Sequence, residues 1–173
     1  MTRTALFAAA AIALSSVSSA AHAQVLGEDA AACTSGRGPA IEVTVIGLKD
    51  RNGRLKLELY PATEDDFLKD DHDLVREGKT FRRVWANTPP SGGVTLCIRA
   101  PAPGRYALLF THDRDGKNKF NFWSDGAGFV SNQRLGRSRP KVRQATIEVG
   151  NGVTRVNIRA QYLRGLGGFG PLD

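Results

Sequence analysis

The sequence predicts an all-β domain, an antiparallel seven-stranded β-sandwich of immunoglobulin-like or prealbumin-like type. Three observations lead there. Short stretches between Ile41 and Leu163 alternate apolar and polar residues with the period of two that a half-buried strand shows. Turn signals or breakers separate them: Asn52-Gly53, Pro89-Pro90-Ser91-Gly92-Gly93, Ala100-Pro101-Ala102-Pro103-Gly104 and Gly150-Asn151-Gly152. Between these signals no stretch has the periodicity of a long amphipathic helix. Seven short strands within about 120 residues fit a sandwich, with a barrel as the alternative closure.

Residues 1–23 stand apart from this pattern. Arg3 supplies a positive start, Leu6 to Leu14 an apolar run too short to span a bilayer, and Ala21-His22-Ala23 a small-x-small cleavage site. These features predict a secretory signal peptide cut before Gln24. Polar or charged residues interrupt every later apolar run, so no transmembrane segment is expected and the mature chain should be periplasmic or secreted. That chain would carry 23 Lys and Arg against 17 Asp and Glu, a net charge of +6. Its 150 residues suffice for one domain with a hydrophobic core. In an oxidising compartment Cys33 and Cys97 are expected to form a disulfide. No CxxC or HxxxH spacing accompanies them, which disfavours a zinc site.

In chain order, residues 24–40 read as an irregular Gly/Ala-rich lead-in, and residues 41–163 as the sandwich. Ile41 to Leu48 alternates Ile41, Val43 and Val45 against Glu42 and Thr44. Asn52-Gly53 is a hairpin signal leading into Arg54 to Tyr60, where Leu55, Leu57 and Leu59 point inward. Thr63-x-x-Asp66 has the form of a capping box, so one helical turn would set Phe67 and Leu68 on the sheet, and residues 70–79 read as a polar loop. Thr80 to Ala86 is a strand with Phe81 and Trp85 on one face. Val94 to Arg99 points Val94, Leu96 and Ile98 inward and Cys97 to the opposite face. The strand at 105–112 places Tyr106, Leu108, Phe110 and His112 on one side. Gln144 to Val149 and Val153 to Leu163 follow, joined at Gly150-Asn151-Gly152, another hairpin signal. Residues 164–173 read as a flexible Gly-rich tail.

The organising stretch is the strand that ends in a knot of Asp, Asn and Gly, His112-Asp113-Arg114-Asp115-Gly116-Lys117-Asn118. Asp113, Asp115 and Asn118 have the alternating oxygens of a calcium loop, and Asn121 and Asp125 could complete the shell. Gly116 sits at the fourth position where such loops need it at the sixth, no glutamate closes the loop, and Lys117 and Lys119 add positive charge. The pattern therefore favours a structural turn in which short carboxylates accept backbone N–H groups. No Gly-x-Ser-x-Gly, HExxH or Walker-type motif is present, and His112 and Asp113 point to opposite faces of a strand. The aromatics Phe120, Phe122, Trp123 and Phe129 either stack a sugar or fold back over the end of the sandwich. The ligand-binding candidates are thus His112, Asp113, Asp115, Asn118, Trp123 and Asp125. A basic run without any acid, Arg134, Arg137, Arg139, Lys141 and Arg143, is the candidate contact for an anionic envelope component.

IEVTVIGLKDRNGRLKLELY, then Pro103-Gly104-Arg105-Tyr106-Ala107, then HDRDGKNKF and DGAGFVSN, and a last strand ending at Tyr162, together resemble the DUF2141 family of uncharacterised secreted bacterial proteins. The resemblance covers roughly Ile41 to Leu163 and implies a prealbumin-like β-sandwich with no assigned activity. Members often carry His-Asp-x-Asn-Gly-Asn where this chain has Lys117 at the last place. The sequence therefore points to an exported, non-enzymatic binding or envelope-associated module. The rival reading is an envelope carbohydrate hydrolase or lyase that uses carboxylates near Asp113 and Asp125.

Overall fold

The computed structural model describes residues 24–172, so the expected signal peptide lies outside the described residues. Among the described residues eleven strands form: β1 (Val25–Leu26), β2 (Ala40–Ile46), β3 (Arg54–Pro61), β4 (Arg82–Asn87), β5 (Val94–Arg99), β6 (Gly104–Asp113), β7 (Gly126–Phe129), β8 (Thr146–Val149), β9 (Val153–Arg159), β10 (Tyr162–Leu163) and β11 (Phe169–Gly170). Three short helices join them, α1 (Ala30–Thr34), α2 (Asp71–Arg76) and α3 (Val142–Ala145). Nine strands build two sheets. One has the order β1-β5-β2-β9, the other β4-β3-β6-β7, with β8 pairing the first half of β6. The excess over seven comes from the two-residue pieces β1 and β11, from β7, and from the splitting of the last expected strand into β9 and β10.

The inward residues are those the alternation marks. Ile41, Val43, Val45, Leu96, Ile98 and Ile158 of the first sheet meet Leu55, Leu57, Leu59, Val84, Leu108 and Phe110 of the second, all buried. Burial of such side chains is the main favourable term of folding, roughly 1.5–3 kcal/mol each. Two expected pairings differ from this arrangement. Neither Asn52-Gly53 nor Gly150-Asn151-Gly152 closes a hairpin, because β2 pairs with β5 and β9 while β3 pairs with β4 and β6, and β8 lies in the other sheet from β9. Both turns are arches between sheets. Alternating apolar sets are equally satisfied facing each other across a core about 10 Å thick, and residues 47–53 are long enough to cross it. The sheets are also not purely antiparallel, since β9 runs parallel to β2 and β1 parallel to β5.

The outer face of the second sheet carries a second cluster. Tyr60, Phe67, Leu74, Ala107, Phe129 and Ala145 are buried there, with Phe81 and Leu109 against them. Phe81 and Trp85 thus share a face, but it is this outer one, while Val84 faces the main core. Residues 70–79 are not merely a loop: Asp70 accepts the His72 N–H at 2.9 Å and caps α2, whose Leu74 is fully buried. The Thr63 turn forms as well, with the Asp66 N–H donating to Thr63 Oγ1.

Short elements form within both terminal segments of the described residues, 24–40 and 164–172. β1 pairs with β5, α1 follows, and Cys33 is bonded to Cys97 across a separation of 64 residues with Cα atoms 6.0 Å apart. Cys97 lies on the face away from Val94, Leu96 and Ile98, so the bond fastens α1 to the outside of the first sheet, where Ala32 and Ala40 close over it. At the other end β11 pairs with β10 and buries Phe169. No helix among the described residues is long and apolar enough to cross a membrane.

Candidate functional site

The strand register brings the site residues to one end of the second sheet. β3 and β6 run antiparallel with Arg54 opposite Asp113 and Leu55 opposite His112, while β7 sets Gly126 opposite His112. The inner face of β7 lies so close to β9 and β10 that a Cβ on Gly128 would sit 2.7 Å from the Arg159 carbonyl oxygen, and one on Gly126 would meet the Tyr162 ring at 2.4 Å. The alternating glycines of Asp125-Gly126-Ala127-Gly128 answer that approach. The outward residues Ala127 and Phe129 are left to form a floor with Leu109.

His112 is fully buried and faces no solvent. Its Nδ1 lies 2.7 Å from the Tyr162 hydroxyl and its Nε2 2.8 Å from the Asn52 carbonyl oxygen. The carbonyl can only accept, so Nε2 carries the proton. Tyr162 then donates to Nδ1 while accepting the Lys49 N–H at 3.0 Å. Burial pushes His112 below its ordinary value of 6.5, and the Asn52 carbonyl and Asp50 offset this only in part. Burial likewise raises the Tyr162 hydroxyl to about 12. The acid nearest His112 is Asp50, 4.0 Å away, and not Asp113. Burial alone would raise the Asp50 carboxyl, but Arg114, whose Nε donates to it at 2.9 Å, holds it below the usual range. This histidine ties the end of β6 to the 47–53 arch and to β10.

Asp113, Asp115 and Asp125 come together, each offering one oxygen within 4.8 Å of the others. Each carboxylate also organises the loop. Asp125 accepts the Arg114 N–H at 3.0 Å and the Asn121 N–H at 2.8 Å. Asp115 accepts the Lys117 N–H at 3.1 Å and the Asn121 side-chain amide at 3.0 Å, which keeps its carboxyl below the usual range. Asp113 Oδ2 takes Arg54 at 3.1 Å and the Asn118 N–H at 3.2 Å. Its Oδ1 is buried and accepts no hydrogen bond. Asn118, expected to share a cation with Asp113 and Asp115, meets Asp113 through its backbone, and the third carboxylate is Asp125.

Between Asp115 and Asp125 the chain projects its aromatics. Phe129 is buried, but Phe120 and Phe122 are 43% and 45% exposed and Trp123 is 80% exposed. They flank two adjoining grooves. One, of about 270 Å³, has Leu109, Ala127 and Phe129 as its floor, Phe120, Phe122 and Phe169 on one wall, and residues 135–140 on the other. The second, of about 350 Å³, runs between Trp123, Leu163 and Leu166. Phe122 and Arg137 border both.

Two members of the basic run also bond the chain itself. Arg139 donates to the Phe67 carbonyl at 3.0 Å and Arg134 to that of Gly167 at 3.4 Å, while Arg137 is exposed at the grooves. Gln161 holds this segment in place: buried, it accepts the Leu135 N–H at 3.0 Å and donates to the Gln133 carbonyl at 2.8 Å. Sequence reasoning missed Asp50, Arg54, Arg114 and Gln161. Arg54 was signalled only by the β3–β6 register, and nothing local marks Gln161.

Two sheets packed face to face make this a β-sandwich domain. The family described as "Uncharacterized protein conserved in bacteria (DUF2141)" matches residues 43–157, and the chain belongs to it. No curated protein and no solved structure matches the chain.

Proposed function

We propose that this is an exported, non-enzymatic binding module of the cell envelope that takes an anionic amphiphile, its apolar chain in the Phe-lined groove and its anionic head at Arg137. One observation carries the reading: the 270 Å³ groove is lined by Leu68, Leu109, Phe120, Phe122, Phe129, Leu135 and Phe169, and its only charged groups are Arg137 and Arg139. An exposed apolar cleft of this kind marks a binding surface, and an arginine at its mouth selects an anion. Sugar stacking on Trp123 fits less well, because neither groove offers the amide or carboxylate side chains that would bind several hydroxyls. The hydrolase reading has mutually close carboxylates in its favour, but Asp113, Asp115 and Asp125 line neither groove.

The test is a fluorescence titration with dodecanoate in a Trp85→Phe background, which leaves Trp123 as the reporter among the described residues. Saturable quenching that Phe122→Asp abolishes is the expected result. A flat titration of the folded protein would refute the reading. The head-group contact adds a second expectation, since binding through an exposed arginine should weaken with salt as screening shortens to about 8 Å at physiological strength.

A further inference from the structure

We infer that Asp113, Asp115 and Asp125 form a binding site for a hard divalent cation, calcium by its oxygen donors. Calcium takes oxygens at about 2.3–2.6 Å, so any two of its ligands lie no more than about 5.2 Å apart. Three carboxylate oxygens already within 4.8 Å of one another meet that limit before any rearrangement. The second observation is independent of this proximity. Asp113 is only 2% exposed, its Oδ2 is engaged by Arg54 and Asn118, and its Oδ1 is buried without any partner. Buried carboxylate oxygens are almost always paired, and a cation in the carboxylate knot supplies the missing partner.

The surroundings allow entry. Asp115 is part-exposed, and the one ammonium close to it, Lys117 Nζ at 3.6 Å, belongs to a side chain 75% exposed that is free to swing away. The oxygen-only donor set, with neither cysteine nor an accessible histidine, selects calcium or magnesium over softer transition metals. Asp113 ends β6, Asp125 directly precedes β7 and Asp115 lies in the segment between, and such a mixed set suits the larger, geometrically tolerant calcium better than magnesium, which needs near-ideal octahedral placement. Because Asp115 and Asp125 bracket Phe120, Phe122 and Trp123, the ion would clasp both ends of the aromatic segment. The site stands on its own geometry and holds whatever ligand the groove takes.

The experiment is calorimetric titration of calcium chloride into EDTA-stripped mature protein, with thermal melts alongside. One calcium per chain is expected, with a melting temperature raised by about 5–10 °C at a hundredfold excess over Kd. Asp115→Asn, at the part-exposed corner, should keep the fold by circular dichroism and weaken binding at least about tenfold. Asp125→Asn should do the same or more. Lys117→Asn, which removes the competing ammonium, should tighten binding by up to about fivefold, the range of an exposed ion pair. Asp73→Asn, a partly buried acid on α2 outside the carboxylate knot, should bind as the wild type does. No heat and no melting shift in a folded, stripped protein would overturn the site, as would unchanged affinity in Asp115→Asn. Magnesium binding as tightly as calcium would overturn the choice of ion.

Discussion

Removing the Cys33–Cys97 bond should cost the fold about 4 kcal/mol. The cross-link joins residues 64 apart, and the chain-entropy relation converts a loop of that length into about 4 kcal/mol of lost destabilisation of the unfolded state. The native state gives little of this back. α1 has only five residues and no side-chain cap, so it is too short to persist unless it is held against β5. Both sulfurs are also buried among Ala32 and Ala40, so the double substitution Cys33→Ser, Cys97→Ser adds a polar burial cost to the entropic one. Paired urea unfolding curves of the oxidised wild type and the double variant are the assay. The expected separation corresponds to a melting difference of about 8–16 °C for a domain of this size. Curves that coincide to within about 1 kcal/mol, or two free thiols in the unreduced exported protein, would mean that the bond does not stabilise the fold in this way.

Three further outcomes follow from the site. His112 is neutral when folded and its proton affinity is depressed by burial, so the unfolded chain binds its proton first as pH falls. The stability it contributes is complete above about 6.5 and drains away below it, whereas the loss tied to Asp50 and Asp115, whose folded values are lowered, begins only below about 3.8; denaturant midpoints measured from pH 8 to 3 should show both steps, and His112→Gln should remove the upper one alone. Gly128→Ala should cost about 3 kcal/mol by overpacking against backbone that cannot yield, and Gly116→Ala, at φ 69° with nothing within 4 Å, only about 1 kcal/mol of left-handed strain; the reverse order in unfolding experiments would contradict the packing described. Tyr162→Phe should cost about 1–3 kcal/mol by orphaning both the Lys49 N–H and His112 Nδ1, and a smaller loss would mean that water replaces the hydroxyl.

Where one residue's partner is set by its own strand, the sequence was legible. Leu55, Leu57 and Leu59 had to face one way because the pleat alternates, and Cys97 had to face away from Leu96 and Ile98 for the same reason. What stayed hidden depended on which sheet a strand joins. Asn52-Gly53 carries the chemistry of a tight hairpin, yet Gly53 serves an arch whose backbone lies against Asp113, and period-two alternation is blind to the difference. Asp50 and Arg114 meet only because that arch brings residues 64 apart together. The aromatics were visible, but their exposure was not, since Phe129 and Trp123 differ only by their place relative to β7.

Whether the Phe-lined groove receives an anionic amphiphile is decided by calorimetry that compares dodecanoate with dodecyl maltoside, which has the same chain and a neutral sugar head. Dodecanoate should bind, the maltoside should bind more weakly or not at all, and the difference between them should vanish in Arg137→Glu. Equal binding of both ligands by the wild type, or binding of neither, would contradict it.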